Sequence, residues 1–137
     1  MSRRGSLRGK MEARIAERRD DVVLPREFRD LGGEDQVLRA LRGLVREGKL
    51  VRLGYGVYGL AEISRLSGRP MLAVKGGFIA AARQALDKLG VTWEQTEFQR
   101  AYNEGRSTQV PVNPAVRVKS RFARRLRYQD TELLLER

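Results

Sequence analysis

Two different hydrophobic periods meet between Glu34 and Leu60, and that junction restricts the chain more than any other stretch. Over residues 34–47 the apolar side chains recur with the period of a helix. Val37, Leu38, Leu41, Leu44 and Val45 gather on one face, and Gln36, Arg39, Arg42, Gly43 and Arg46 on the opposite one. Gly48 supplies the C-terminal stop, because glycine takes the left-handed conformation that ends most helices. Beyond it Leu50, Arg52, Val57 and Tyr58 flank Gly54-Tyr55-Gly56, which predicts a β-hairpin with a glycine-bounded tip. Tyr58 is expected in the core and Tyr55 in solvent.

Upstream, "MSRRGSLRGK" reads as a flexible basic arm over residues 1–10, with Arg3, Arg4, Arg8 and Lys10. A helix over 7–18 follows from Leu7, Met11 and Ile15 at i, i+4 and i+8. Val22-Val23 suits a short strand. Pro25 suits the first position of a helix that buries Phe28 and Leu31 and stops at Gly32-Gly33. Helix, short strand, helix, glycine turn, helix and hairpin is the order of a winged helix-turn-helix, here over residues 11–62.

Ser64, Ser67, Gly68 and Pro70 mark residues 61–70 as a linker, and residues 71–137 as a second, small α+β unit. Phe78, Ala82, Leu86 and Leu89 predict a helix over 75–89. Thr92 with Gln95 matches a capping box, which predicts a helix over 93–102. Pro111 and Pro114 argue against a central strand and for an extended edge. The last residues are expected as short strands around Gln129-Asp130. The fold class is therefore α+β: an N-terminal winged helix-turn-helix, then two helices and short strands.

Composition narrows the function. The 137 residues carry a formal charge of +11, shared as +5 over residues 1–60 and +6 over 61–137, so both halves favour a polyanion. Neither cysteine nor histidine occurs, which removes thiolate chemistry, zinc fingers and the commonest general base and metal ligand. Glu94 and Glu97 are spaced i, i+3 on a predicted helix, yet have no third ligand beside them. No enzyme activity and no cofactor are expected. The short apolar stretches predict no membrane contact, and the basic start leads into a charged helix, which predicts a cytoplasmic protein.

The expected partner is double-stranded DNA. In a helix-turn-helix the second helix enters the major groove, where Arg pairs bidentately with guanine and Gln with adenine. That assigns Gln36, Arg39, Arg42 and Arg46 to base contact and Gly43 to close backbone approach. Lys49, Arg52 and Tyr55 on the wing are expected at sugar-phosphate or the minor groove. Arg106, Thr108, Gln109 and Arg117 are expected either as phosphate contacts flanking the wing or as plain architecture around an edge strand. A late cluster, Arg121, Arg124, Arg125 and Arg127 with Phe122 and Tyr128, mixes cations and aromatics as single-strand binders do. A homodimer is expected, since helix-turn-helix proteins commonly read paired half-sites.

The stretch "PREFRDLGGEDQVLRALRGLVREGKLVRLGYGVYGL" resembles the N-terminal winged helix of AbiEi-type antitoxins and a related group of bacterial proteins. Phe28, Leu31, Gly32, Leu41, Leu44, Gly48, Leu53, Gly56 and Tyr58 fall on that pattern. "GRSTQVP" over residues 105–111 resembles a second block of the same group. The resemblance implies a prokaryotic DNA-binding regulator that represses its own operon, with a nucleotidyltransferase-like toxin encoded nearby as partner. The alternative is a winged-helix interaction module of a phage or mobile-element assembly, with nonspecific or no DNA contact.

Overall fold

Ser6 opens the first helix by accepting a hydrogen bond from the Gly9 N–H at 3.0 Å, and α1 runs Leu7–Arg18. The structure is a computed structural model that describes residues 5–110, 114–119, 121–122 and 124–136. The expected arm is thus cut short: Arg8 and Lys10 already belong to α1, and Arg3 and Arg4 lie outside the described residues. Strand β1 is Val22–Val23, and a single 3-10 turn, Pro25–Phe28, stands where a longer helix was expected. Helix α2 is Glu34–Arg46, followed by β2 Leu50–Gly54 and β3 Val57–Ile63. The three strands are antiparallel in the order β1-β3-β2.

One face of this sheet packs on the helices. Met11, Ile15, Val23, Phe28, Val37, Leu41, Leu44, Leu50 and Tyr58 form a single buried cluster. Fully burying such a side chain contributes about 1.5–3 kcal/mol, so the cluster decides the angle between α1, α2 and the hairpin. Gly48 turns the chain from α2 into β2 with φ +77, and a Cβ there would run into Ile63. Arg14 of α1 clamps the segment after the 3-10 turn with a bidentate pair to Asp30 at 2.6 and 2.7 Å. It also donates to the Glu27 carbonyl at 3.0 Å.

The segment expected as a linker joins two paired strands, with Ala61, Glu62, Ile63 and Pro70 in the ladder and residues 64–69 as the connection. Strand β3 continues to Ile63, and β4, Pro70–Leu72, returns antiparallel with Ala61 opposite Leu72 and Ile63 opposite Pro70. Helix α3 is Gly77–Lys88, β5 is Trp93–Gln95 and α4 is Glu97–Asn103. Residues 93–95 therefore form a strand instead of the first turn of the expected helix. The cap is Thr96, whose hydroxyl accepts from the Gln99 N–H at 3.1 Å. Trp93 explains the shift: it packs against the core, and its indole donates to Asp87 at 2.7 Å, which an α-helical start would prevent.

Strand β6, Ala115–Val118, pairs antiparallel with β5 and parallel with β9, Leu134–Glu136. It is the middle strand of that sheet, not an edge. Pro114 precedes the strand, and its carbonyl still accepts from the Leu134 N–H at 3.0 Å, so the proline costs no ladder bond. Pro111 lies outside the described residues. Strands β7, Arg127–Tyr128, and β8, Thr131–Glu132, form the expected hairpin around Gln129-Asp130. The α+β class holds.

The second half has no core of its own. Val74, Ala81, Ala82, Ala85, Leu86, Val116, Val118, Leu126 and Leu133 pack with Val22, Leu24, Leu53 and Val57, the other face of the first sheet. A polar collar seals the seam. Lys88 at the end of α3 contacts Glu27 at 2.9 Å and Asp20 at 3.0 Å, and Arg26 donates to the Lys88 carbonyl.

A shared core unfolds as one unit. Leu86→Ala, at a fully buried position, should cost about 2–5 kcal/mol and shift Trp93 fluorescence and far-UV circular dichroism melts together. Two separated transitions would contradict the shared core. The Arg14 clamp gives a pH signature. Hydrogen bonding from Arg14 holds the Asp30 carboxyl below its ordinary value, so its contribution is present above that value and is lost as pH falls through the lowered one. Asp30→Asn should melt earlier than the parent at pH 7, and the gap should close in strong acid.

Candidate nucleic-acid interface

Helix α2 carries the charge, and α1 determines which part of it is accessible. The Arg8 guanidinium lies over α2, paired with Glu12 at 3.7 Å and with Glu47. Gly43 is buried beneath it, where a Cβ would stand 3.2 Å from Arg8 Nη1. The expected close approach of a ligand at Gly43 is therefore not available, because α1 occupies that space. What stays open is the neighbouring stripe of Arg39, Arg42 and Arg46. Among the described residues none of these three has an ion pair.

Arg42 and Arg46 of the stripe line a groove of about 530 Å³ together with Glu34, Leu38 and Val45 of α2 and Arg52 and Tyr55 of the hairpin. Tyr55 is 74% exposed at the tip while Tyr58 is 6% exposed, as their positions about the turn require. Arg52 is steadied by its own Nε–H, which donates to the Gly54 carbonyl at 3.3 Å. Charge along α2 is graded. Glu34 and Asp35 fill the first turn, where they suit the helix dipole, and the arginines fill the last two turns. A polyanion is thus attracted to the C-terminal part of α2 and to the wing, and repelled from the N-terminus of α2.

Several expected contacts are engaged elsewhere. Gln36 accepts the Gly33 N–H at 3.2 Å, so its carbonyl oxygen caps α2 and is not free for an adenine edge. Lys49 pairs with Glu12 at 3.1 Å and Glu47 at 3.5 Å and lines a separate apolar groove with Ile15 and Leu60. Arg106 is held by Glu104 at 2.8 Å and Glu97 at 3.0 Å, hydrogen bonds that raise its pKa. Arg117 on β6 stands opposite Glu94 of β5, 4.0 Å away. Thr108 and Gln109 are exposed, and the Gln109 N–H donates to the Ser107 hydroxyl at 3.2 Å. Local carboxylates thus neutralise the second-half cations that were expected to extend the interface.

Sequence reasoning put one cation in the late arginine cluster that the fold instead brings to the hairpin tip. Arg124 lies beside Tyr55, from a segment 69 residues away. Its only sequence signal is the alternation of arginine with Phe122 and Tyr128, which does not say where that segment docks. Among the described residues no group of three or more acidic side chains is placed to hold a metal ion. No described helix is long and apolar enough to cross a membrane. No protein-family model, curated protein or solved structure matches the chain.

The assignment of Gln36 as a cap has a simple consequence. Gln36→Ala should lower stability by about 0.5–1 kcal/mol and leave affinity for duplex DNA unchanged once the protein is folded. A melt like the parent's, together with weaker and less selective binding, would return Gln36 to the interface.

Proposed function

We propose that this protein is a sequence-specific double-stranded DNA-binding regulator built on a winged helix-turn-helix. The observation that carries the reading is the groove lined by Arg42 and Arg46, which have no ion pair among the described residues, and by Arg52 and Tyr55 of the hairpin. The order of the helical segments and the β1-β3-β2 sheet support it, since they put α2 and the hairpin side by side. Helix α2 has 13 residues. At 1.5 Å per residue it is about 20 Å long, and a helix about 10–12 Å across fits a major groove about 12 Å wide.

In this reading the arginine stripe of α2 lies in the major groove. Arg39, Arg42 and Arg46 are spaced to meet successive base edges or the phosphates that bound them. The hairpin then reaches the adjacent backbone with Arg52. Resemblance to AbiEi-type antitoxins supports a repressor of its own operon, bound as a homodimer to paired half-sites and with a toxin partner encoded nearby.

Selection of duplexes from a random pool tests specificity directly. The parent should enrich a defined site, and Arg42→Ala and Arg46→Ala should each cost about 1–3 kcal/mol on it. At least one of the two should also relax preference at a base pair. A pool that shows no enrichment, or variants that bind the selected site as the parent does, would overturn this reading.

A further inference from the structure

The hairpin tip has no cation of its own: it is Gly54-Tyr55-Gly56. The segment that follows β6 supplies one. Arg124 sets its guanidinium carbon 5.7 Å from the centre of the Tyr55 ring, and its Nη1 donates to the Tyr55 carbonyl at 3.5 Å. A guanidinium within about 6 Å of an aromatic face is attracted by the ring quadrupole and keeps its outer N–H groups free. Arg124 is exposed and has no ion pair among the described residues.

This placement is built in. Gly54 lets the chain at Arg125 come close: a Cβ on Gly54 would collide with the Arg125 carbonyl oxygen and stand 3.0 Å from Leu126. Leu126 is buried in the shared core, and its carbonyl accepts from the Leu133 N–H at 2.9 Å. Tyr128, two residues on, accepts from the Leu72 N–H at 3.0 Å through its hydroxyl. Arg124 is therefore attached to the wing by an anchored segment, unlike Arg125, which is 85% exposed and lies 3.5 Å from Glu132.

We infer that Arg124 is a phosphate contact at the wing tip, beyond that of Arg52, and that Tyr55 is its positioning residue, so that the DNA interface is completed by the C-terminal half of the chain. This rests on the DNA-binding reading above and adds a residue and a role that it does not contain. The ligand chemistry is a backbone phosphate of duplex DNA, because a cation held at a wing tip beyond the α2 stripe meets the sugar-phosphate strand and not a base edge.

The test uses the full chain and the selected duplex, titrated over a range of salt concentrations. Arg124→Gln removes one phosphate contact, so the slope of log affinity against log salt should flatten by about 0.9; with the two proteins converging near 1 M salt, the variant should bind roughly eightfold more weakly than the parent at 0.1 M. The loss should be equal on random duplex, and Arg124→Lys should recover most of the slope. Tyr55→Phe, which keeps the ring but not the hydroxyl, should recover most of the salt slope that Tyr55→Ala loses. Tyr55→Ala should lose affinity, but add little to Arg124→Gln in the double variant. An unchanged slope in Arg124→Gln, with Arg42→Ala still impaired, overturns the inference and leaves the DNA-binding reading standing. Additive losses at Tyr55 and Arg124 overturn the positioning role. A stronger loss on single-stranded than on duplex DNA would assign Arg124 to a different ligand. Failure of the parent to bind any duplex would remove both proposals.

Discussion

Successive residues of the first sheet point to opposite faces, and in this protein both faces are buried. Val22 of β1 packs toward α3 and Val23 toward α1 and α2. On β3 the division falls between Val57 and Tyr58, and on β2 between Leu53 and Leu50. A one-residue slip in any of these strands would exchange the two sets, sending a tyrosine into the space shaped for valine. Everything else in the fold depends on this two-sided sheet. It fixes α2 against the hairpin on one side and holds the C-terminal half on the other, so the groove between α2 and the hairpin has rigid walls.

That arrangement explains what was legible in the sequence. Helix α2 and the hairpin were legible because each has a single exposed face and a clear period, and the glycines fall at their ends. The core shared by the two halves was not, because packing between distant segments leaves no local trace. The expected linker over residues 61–70 contains serine, glycine and proline, yet Ala61, Glu62 and Ile63 still form ladder pairs with β4. The helix over 93–102 failed for a different reason. Thr92-Trp93-Glu94-Gln95 and Thr96-Glu97-Phe98-Gln99 are the same capping signature twice in succession. Local chemistry cannot choose between them. The burial of Trp93 against the core does, and it selects the second.

The candidate site was legible by residue type and less so by availability. A helical wheel separates polar from apolar positions, but it does not show that α1 lies across one edge of the polar side. Gly43 and Gln36 were assigned to an open face for that reason, one lying under Arg8 and the other closing the helix start. The same holds for charge. A net +11 states how strongly a polyanion is attracted from a distance. Which cations it meets depends on which are left unpaired. Lys49, Lys88 and Arg106 each contact two carboxylates, whereas Arg39, Arg42, Arg46 and Arg124 contact none among the described residues.

Paired and free cations also differ in what a ligand gains from them. An arginine already held by carboxylates must give up those contacts before it can bind phosphate, so it adds little net attraction. An unpaired arginine on a fixed element releases counterions without rearrangement and loses less side-chain entropy on binding, because its backbone is already in place. In this chain Arg42 and Arg46 are fixed by the burial of Leu41 and Leu44 beneath them, and Arg124 by the burial of Leu126. Each of these three cations is thus the immediate neighbour of a buried leucine, or lies two residues from one. The proposed recognition surface therefore depends on core packing at the same points of the chain, Leu41, Leu44 and Leu126.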